Sequence, residues 1–315
     1  MCLGGLLLVG CGGPDRERTD PDGPLRVTAT TTIVGDMVQR IGGDEIALRV
    51  LLPLGADPHG YIFRPADMAA VADADLLFIN GGGLEGHLDR LLQAAGSSTE
   101  SVSLACGISA RPLPAAAREH THDNGHEHCH THTHGGMDPH FWFDPHNMMI
   151  WCNTIAEALS KWMPEHQADF EARAAAVQTE LRALDEWIEE QVERIPPERR
   201  VLVADHHMLG YFADRYGFEE VGVILPSFDS MAQASARHLG RLTNQLRAQS
   251  VPAIFVGMNV NPTLAERVSE DTGTPLVRIH LESLTEPDGT APDYFAMMRY
   301  NVQKMVEYLG AQDGS

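Results

Sequence analysis

The chain has 315 residues, 43% hydrophobic and 21% charged, which places it among ordinary globular proteins with length for about two domains. Its 23 Lys and Arg are outnumbered by 44 Asp and Glu, a formal charge of −21, and 16 residues are His. No basic stripe is present to neutralise phosphates, which argues against nucleic acid as a partner, and no apolar run reaches the roughly 18 to 20 residues of a membrane-spanning helix.

The first residues, MCLGGLLLVGCGG, form an apolar run ending in Leu8-Val9-Gly10-Cys11, followed by a polar Pro/Gly-rich stretch. This resembles a bacterial lipoprotein signal, in which the cysteine is lipidated and the preceding residues are removed. The resemblance implies a signal segment over 1–10, a lipid anchor on Cys11 and a flexible linker over 11–24. It also implies an extracytoplasmic site of action, at the periplasmic or cell-surface face, held to the membrane by acyl burial and not by a span. No Lys or Arg precedes Cys11, so the basic opening of such signals is missing and their true start is left open. With Cys2 removed and Cys11 lipidated, three cysteines are left, Cys106, Cys129 and Cys152; an oxidising compartment permits one disulfide among them, and the sequence does not choose the pair.

From residue 25 short apolar runs alternate with amphipathic segments, the pattern of β/α units on a largely parallel sheet. Strands are predicted at 25–29, 48–52, 76–80 and 101–104, with helices at 33–41, 66–74 and 86–95, making one α/β lobe over 25–163. Within it, residues 120–134 read HTHDNGHEHCHTHTH. Seven histidines fall there: His120, His122, His126, His128, His130, His132 and His134. Imidazoles separated by Gly, Asn and Thr offer no core-forming face, so the 118–136 loop is expected to be a weak, multivalent metal collector.

Residues 164–195 carry Phe170, Ala174, Val177, Leu181, Leu184, Ile188 and Val192, spaced to share one helical face. Pro164 suits a first turn and Pro196-Pro197 stops the segment. Such a helix would run about 45 Å, enough to join two lobes rigidly. A second α/β lobe follows over 196–315, with strands at 201–204, 220–224, 253–256 and 276–279 and helices at 209–216, 234–249, 263–272 and 293–309. The expected architecture is thus two Rossmann-like α/β lobes joined by a long rigid helix, with a site in the cleft between them.

Three Asp-Pro-His triplets end at His59, His140 and His146. His59 and His140 follow predicted strands of the first lobe; His206 follows 201–204 and Glu282 follows 276–279 in the second. Open α/β sheets bind ligands beyond the carboxyl ends of their strands, so these four can face one cleft. Three imidazoles and a carboxylate make a four-coordinate set suited to Zn2+, with Mn2+ as the alternative. His146, at an apparent helix start after Asp144-Pro145, and His207, one residue into the following helix, are expected to stay outside it.

The segments LGADPHGYIFRPADM, MDPHFWFDPHN, VLVADHHMLGYFADRYGF and HLESLTEPDGTAPDYFAMMRYN occur in this order. They resemble the four metal-site blocks of the zinc/manganese solute-binding proteins of ABC importers, the ZnuA-like cluster A-I family. The likeness runs from about residue 25 to 309. It implies His59, His140, His206 and Glu282 as metal ligands, a monomeric two-lobed protein, and as partners a membrane permease with its cytoplasmic ATPase. It also makes the His-rich loop a feature of zinc members. Glu282 departs from the family's usual Asp, one methylene shorter, so either it or a water completes the coordination. A Glu common after the third strand of the second lobe is replaced around Gly257, and the usual Glu-Pro-Ser is Gln233-Ala234-Ser235.

Rival readings are a zinc buffer or chaperone that never docks a permease, a surface adhesin, and a zinc-dependent hydrolase. The hydrolase lacks His-Glu-x-x-His and a second carboxylate placed as general base. Gly81-x-Gly83-x-x-Gly86 matches a dinucleotide fingerprint but follows a third strand and lacks the acid about 20 residues on. The expected role is capture and delivery without chemistry, with affinity falling below about pH 6.5 as the imidazoles protonate.

Overall fold

A computed structural model describes residues 23–86, 88, 99–111, 137–226 and 234–310. The signal segment with Cys11, most of the predicted 86–95 helix, the His-rich loop with its seven histidines, and Gln233 lie outside the described residues.

The first lobe is built on four parallel strands, β1 (Leu25–Ala29), β2 (Ile46–Val50), β3 (Leu76–Ile79) and β4 (Glu100–Ser103), in the order β2-β1-β3-β4. The second repeats that order with β5 (Val201–Ala204), β6 (Glu219–Val223), β7 (Ile254–Gly257) and β8 (Leu276–Ile279), arranged β6-β5-β7-β8. In each sheet the chain reverses direction of travel between the first and third strands, and such a switch point opens a crevice at the strands' carboxyl ends. The helices are α1 (Thr32–Gly42), α2 (Pro65–Asp73), α3 (Pro145–Trp162), α4 (Gln167–Val192), α5 (Gly210–Tyr216), α6 (Ala236–Gln249), α7 (Thr263–Thr272) and α8 (Tyr294–Leu309).

Two differences from the expected elements have a physical cause. The strand expected at 48–52 is β2, two residues earlier: Leu51 and Leu52 are buried and their N–H groups still bond Ala29 and Thr30, but they already turn the chain toward His59. Of helix α3 only the start after Asp144-Pro145 was expected, although Met148, Trp151, Cys152, Ile155, Ala156 and Leu159, all buried, follow helical spacing. Its start is capped by Asp144, whose side chain accepts from the His146 N–H, with Pro145 in the first turn. Cys152 lies in this helix as a free buried thiol, pushed up to about 12 by burial, so it takes no part in a disulfide; Cys106 is disulfide-bonded.

Helix α4 joins the lobes. A 3-10 turn at Pro164–His166 precedes it, so the continuous helix is 26 residues and about 39 Å long. All seven predicted apolar residues are buried on it. They belong to one continuous core that also contains β1, α1 and α3 of the first lobe and Leu202, Phe212, Tyr294 and Met305 of the second. Asp185, buried at mid-helix, accepts from Tyr216 Oη at 2.8 Å and Arg215 Nε at 3.2 Å, tying α4 to α5. Lobes that share a large apolar core move little against each other. We expect Leu184→Ala to cost about 2–5 kcal/mol in chemical denaturation, with both lobes unfolding in a single transition, since the lost side chain belongs to the core common to both.

Candidate metal centre

All three Asp-Pro-His triplets fold locally in the same way. Each aspartate accepts from the backbone N–H of its own histidine, Asp57 to His59 at 2.9 Å, Asp138 to His140 at 3.1 Å and Asp144 to His146 at 2.9 Å, closing a small turn around the proline. Their tertiary surroundings then separate them. His146 enters the first turn of α3 with a half-exposed ring, whereas His140 is fully buried before the 3-10 turn at Phe141–Phe143 and His59 projects from the loop after β2.

His59, His140, His206 and Glu282 converge between the lobes. One donor atom from each lies within 4.8 Å of the others. His59 Nε2 is 3.2 Å from His140 Nε2 and 3.1 Å from Glu282 Oε1, and His206 Nε2 is 3.5 Å from the same oxygen. The three ring centroids stand 5.3 Å apart pairwise. Four donors at about 2.0–2.1 Å around a tetrahedral ion are roughly 3.3 Å from one another, so the spacing fits such an ion. His206 Nε2 and Glu282 Oε1 are buried without a hydrogen-bond partner, the condition of atoms that await a cation.

The electrostatics follow from burial and mutual charge. Burial opposes the Glu282 carboxylate, yet His206 and His59 hold it far below the usual carboxylate range. Burial pulls His206 down, but the negative charges of Asp205 and Glu282 raise it well above an ordinary histidine. His140 is lowered, chiefly by burial.

Several supporting residues had no role in the sequence reading. Asp138 Oδ1 stands 2.7 Å from His140 Nδ1, orienting Nε2 into the cleft, while Arg111 lies 3.5 Å from its other oxygen. Repetition of Asp before Pro-His was the available signal, but two of the three aspartates do only the local turn. Asn80 Nδ2 donates to Pro139 O at 2.9 Å, and Asn80 N and Gly81 N bond the buried Glu85 carboxylate. Of the dinucleotide-like glycines, Gly81 joins this network through its N–H, whereas a Cβ on Gly83 would meet nothing within 4 Å. Gly82, at φ +66°, lies against Phe141, where an added Cβ would come 2.6 Å from the ring. Trp142 crosses the cleft floor, its Nε1 donating to Leu281 O at 2.9 Å and its own carbonyl accepting from Tyr294 Oη at 2.8 Å. His207 turns away to Glu220, 2.8 Å distant, and precedes α5 instead of lying in it.

The model of the family described as the periplasmic component A of zinc-uptake complexes, ZnuA, matches residues 27–308. The chain belongs to this family. It is therefore a substrate-binding component of a metal ABC transporter. It is 30% identical over 305 residues to the manganese-binding lipoprotein MntA of Halalkalibacterium halodurans, covering 96% of this chain and 95% of that one. It is 27% identical over 317 residues to the manganese ABC transporter substrate-binding lipoprotein PsaA of Streptococcus pneumoniae, covering 98% and 96%. Among solved structures it resembles the periplasmic zinc-binding protein TroA of Treponema pallidum, with a TM-score of 0.78, 25% identity, and coverage of 92% of this chain and 100% of that one. No helix among the described residues is long and apolar enough to cross a membrane.

Trp142→Phe keeps the ring packing but leaves Leu281 O without its donor. We expect a loss of about 1–3 kcal/mol in denaturant unfolding, with the wild-type secondary structure retained by circular dichroism.

Proposed function

We propose that this protein is the extracytoplasmic zinc-capturing subunit of its importer. Zn2+ enters the cleft, exchanges its waters for His59, His140, His206 and Glu282, and is handed to the membrane permease, whose cytoplasmic ATPase drives uptake. The observation that carries this reading is the donor set itself, three imidazole nitrogens and one carboxylate oxygen within 4.8 Å. Nitrogen-rich, four-coordinate sites suit zinc, whereas manganese favours oxygen and higher coordination. Glu282 reaches the other donors despite its extra methylene, which supports direct ligation over an interposed water.

In this reading Cys11 carries the lipid anchor, and the histidines of the 118–136 loop act as a collector of low affinity, apart from the cleft. The chain works as a monomer that captures and delivers without catalysis. Manganese is the second reading, favoured by the likeness to the manganese-binding lipoproteins MntA and PsaA. Competition titration with Zn2+ and Mn2+ on protein lacking 120–134 decides between them, because it isolates the cleft.

We expect His59→Ala or His206→Ala to lower zinc affinity far more than deletion of 120–134, measured by chelator competition. Equal or reversed effects would sink the assignment of the ligands.

Binding requires neutral imidazoles and an ionised carboxylate. With His206 raised well above 6.5, a proton competes for Nε2 already near neutrality, while Glu282 stays ionised throughout. Affinity therefore falls as pH drops, from a higher pH than unperturbed histidines would give, and zinc binding releases a proton. Calorimetry in buffers of different ionisation heat measures that release; an affinity flat between about pH 8 and about pH 6 contradicts it.

A further inference from the structure

Five aspartates are buried among the described residues, and four have evident partners. Asp67 accepts from Tyr61 and the Arg64 N–H, Asp75 pairs with Arg26, Asp138 binds His140 beside Arg111, and Asp185 holds Arg215 and Tyr216. Asp205 is the exception. Its side chain is 3% exposed, and neither Oδ1 nor Oδ2 has a hydrogen-bond partner. No Lys or Arg among the described residues forms an ion pair with it. A desolvated carboxylate in that state is costly unless something compensates it.

Its place in the fold says what that is. Asp205 directly follows β5 at the switch point of the second sheet and directly precedes His206. Its Oδ1 lies 3.6 Å from His206 Nδ1, about 0.8 Å beyond a charge-assisted hydrogen bond. On its other side is Gly257, where even a Cβ would lie 3.6 Å from Oδ2, so no side chain from the end of β7 displaces the carboxylate. The contrast with Asp138, already 2.7 Å from His140 Nδ1, is direct: one ligand histidine has its orienting acceptor closed, the other has it poised.

We propose, building on the zinc-capture reading, that Asp205 is the positioning and charge partner of His206: when Nε2 takes the ion, Nδ1–H closes onto the Asp205 carboxylate. An ion on Nε2 fixes the tautomer with the proton on Nδ1 and makes that N–H a stronger donor, so a slight ring tilt completes the bond. The ion also brings positive charge beside the Asp205 carboxylate, which has no Lys or Arg partner among the described residues. Arg111 stands against Asp138, whereas Asp205 and Glu282 together balance a doubly charged cargo. An anionic partner strengthens the imidazole as a donor, which favours an ion that bonds nitrogen well, so Asp205 also sets selectivity for zinc over manganese.

The test compares wild type, Asp205→Asn and Asp205→Ala, with Zn2+ and Mn2+ affinities from competition titration and melting temperatures of the metal-free proteins. Asn keeps the shape and an accepting oxygen without charge; Ala removes both. We expect Asn to weaken zinc binding about 10–100-fold, Ala to weaken it further, and the zinc-to-manganese preference to fall in both. The metal-free melting temperature of the Asn variant should stay close to that of wild type, because the carboxylate makes no hydrogen bond that the metal-free protein would lose. Zinc affinities of both variants within about twofold of wild type, or losses in affinity that merely track a lower metal-free melting temperature, would overturn the proposal. Should Asp205→Asn fail to fold, the Ala variant carries the same comparison. Wild-type protein that binds no zinc through His59 and His206 would instead refute the zinc-capture reading on which this rests.

Discussion

Buried lone pairs with nothing to receive them are the constraint around which this molecule is arranged. Three imidazoles and a carboxylate come from four separate segments, two in each lobe, and their donor atoms meet within 4.8 Å. Such a cluster is unfavourable on its own, since lone pairs face one another and the groups are out of water. It persists because the scaffold over-determines it. Asp138 and Asn80 fix His140 and its loop from the first lobe, and Trp142 bonds Leu281, immediately before Glu282, across to the second.

That arrangement needs the lobes to keep their relation, and the shared core provides it. Helix α4 buries one apolar face through both lobes, and α8 returns from the second lobe so that Tyr294 donates its N–H to Asp36 of α1 at 3.0 Å. Leu284 N likewise bonds Thr32 Oγ1 at 3.0 Å, and Gly55 N bonds Ser283 Oγ at 2.8 Å. Direct contacts between lobes thus flank both ends of the Glu282 segment. Capture in such a frame calls for small adjustments of rings and loops, not for large closure of a hinge. The net charge of −21 adds a long-range attraction for cations without specifying one.

Much of the fold was legible because its signals are local and periodic. Strands 25–29, 201–204 and 276–279 and the helix at 263–272 coincide with the observed elements, and the apolar face of the joining helix is buried residue for residue. Of helix α3 only the start at Asp144-Pro145 was legible, because beyond it Met149, Ile150 and Trp162 add apolar residues beside the buried face and blur the helical period. The strand at β2 was displaced because burial continues past its end into the ligand loop, and hydropathy does not mark where pairing stops. The four cleft residues come together for a different reason: His59, His206 and Glu282 lie soon after strand ends, and parallel sheets dictate what strand ends face.

The sequence by itself determined the two α/β lobes, the joining helix and which histidines and acid stand at strand ends, since hydrophobic period and chain order suffice for these. It set His146 apart from the other two Asp-Pro-His turns only through the helix start at Asp144-Pro145, because backbone chemistry within three residues is the same in each. Only the tertiary structure brings His59 and His140 to one point, makes Asp138 and not Asp57 orient a ring, and leaves Asp205 without a hydrogen bond beside His206. These are matters of distance between segments far apart in the chain, which packing fixes and local pattern does not encode.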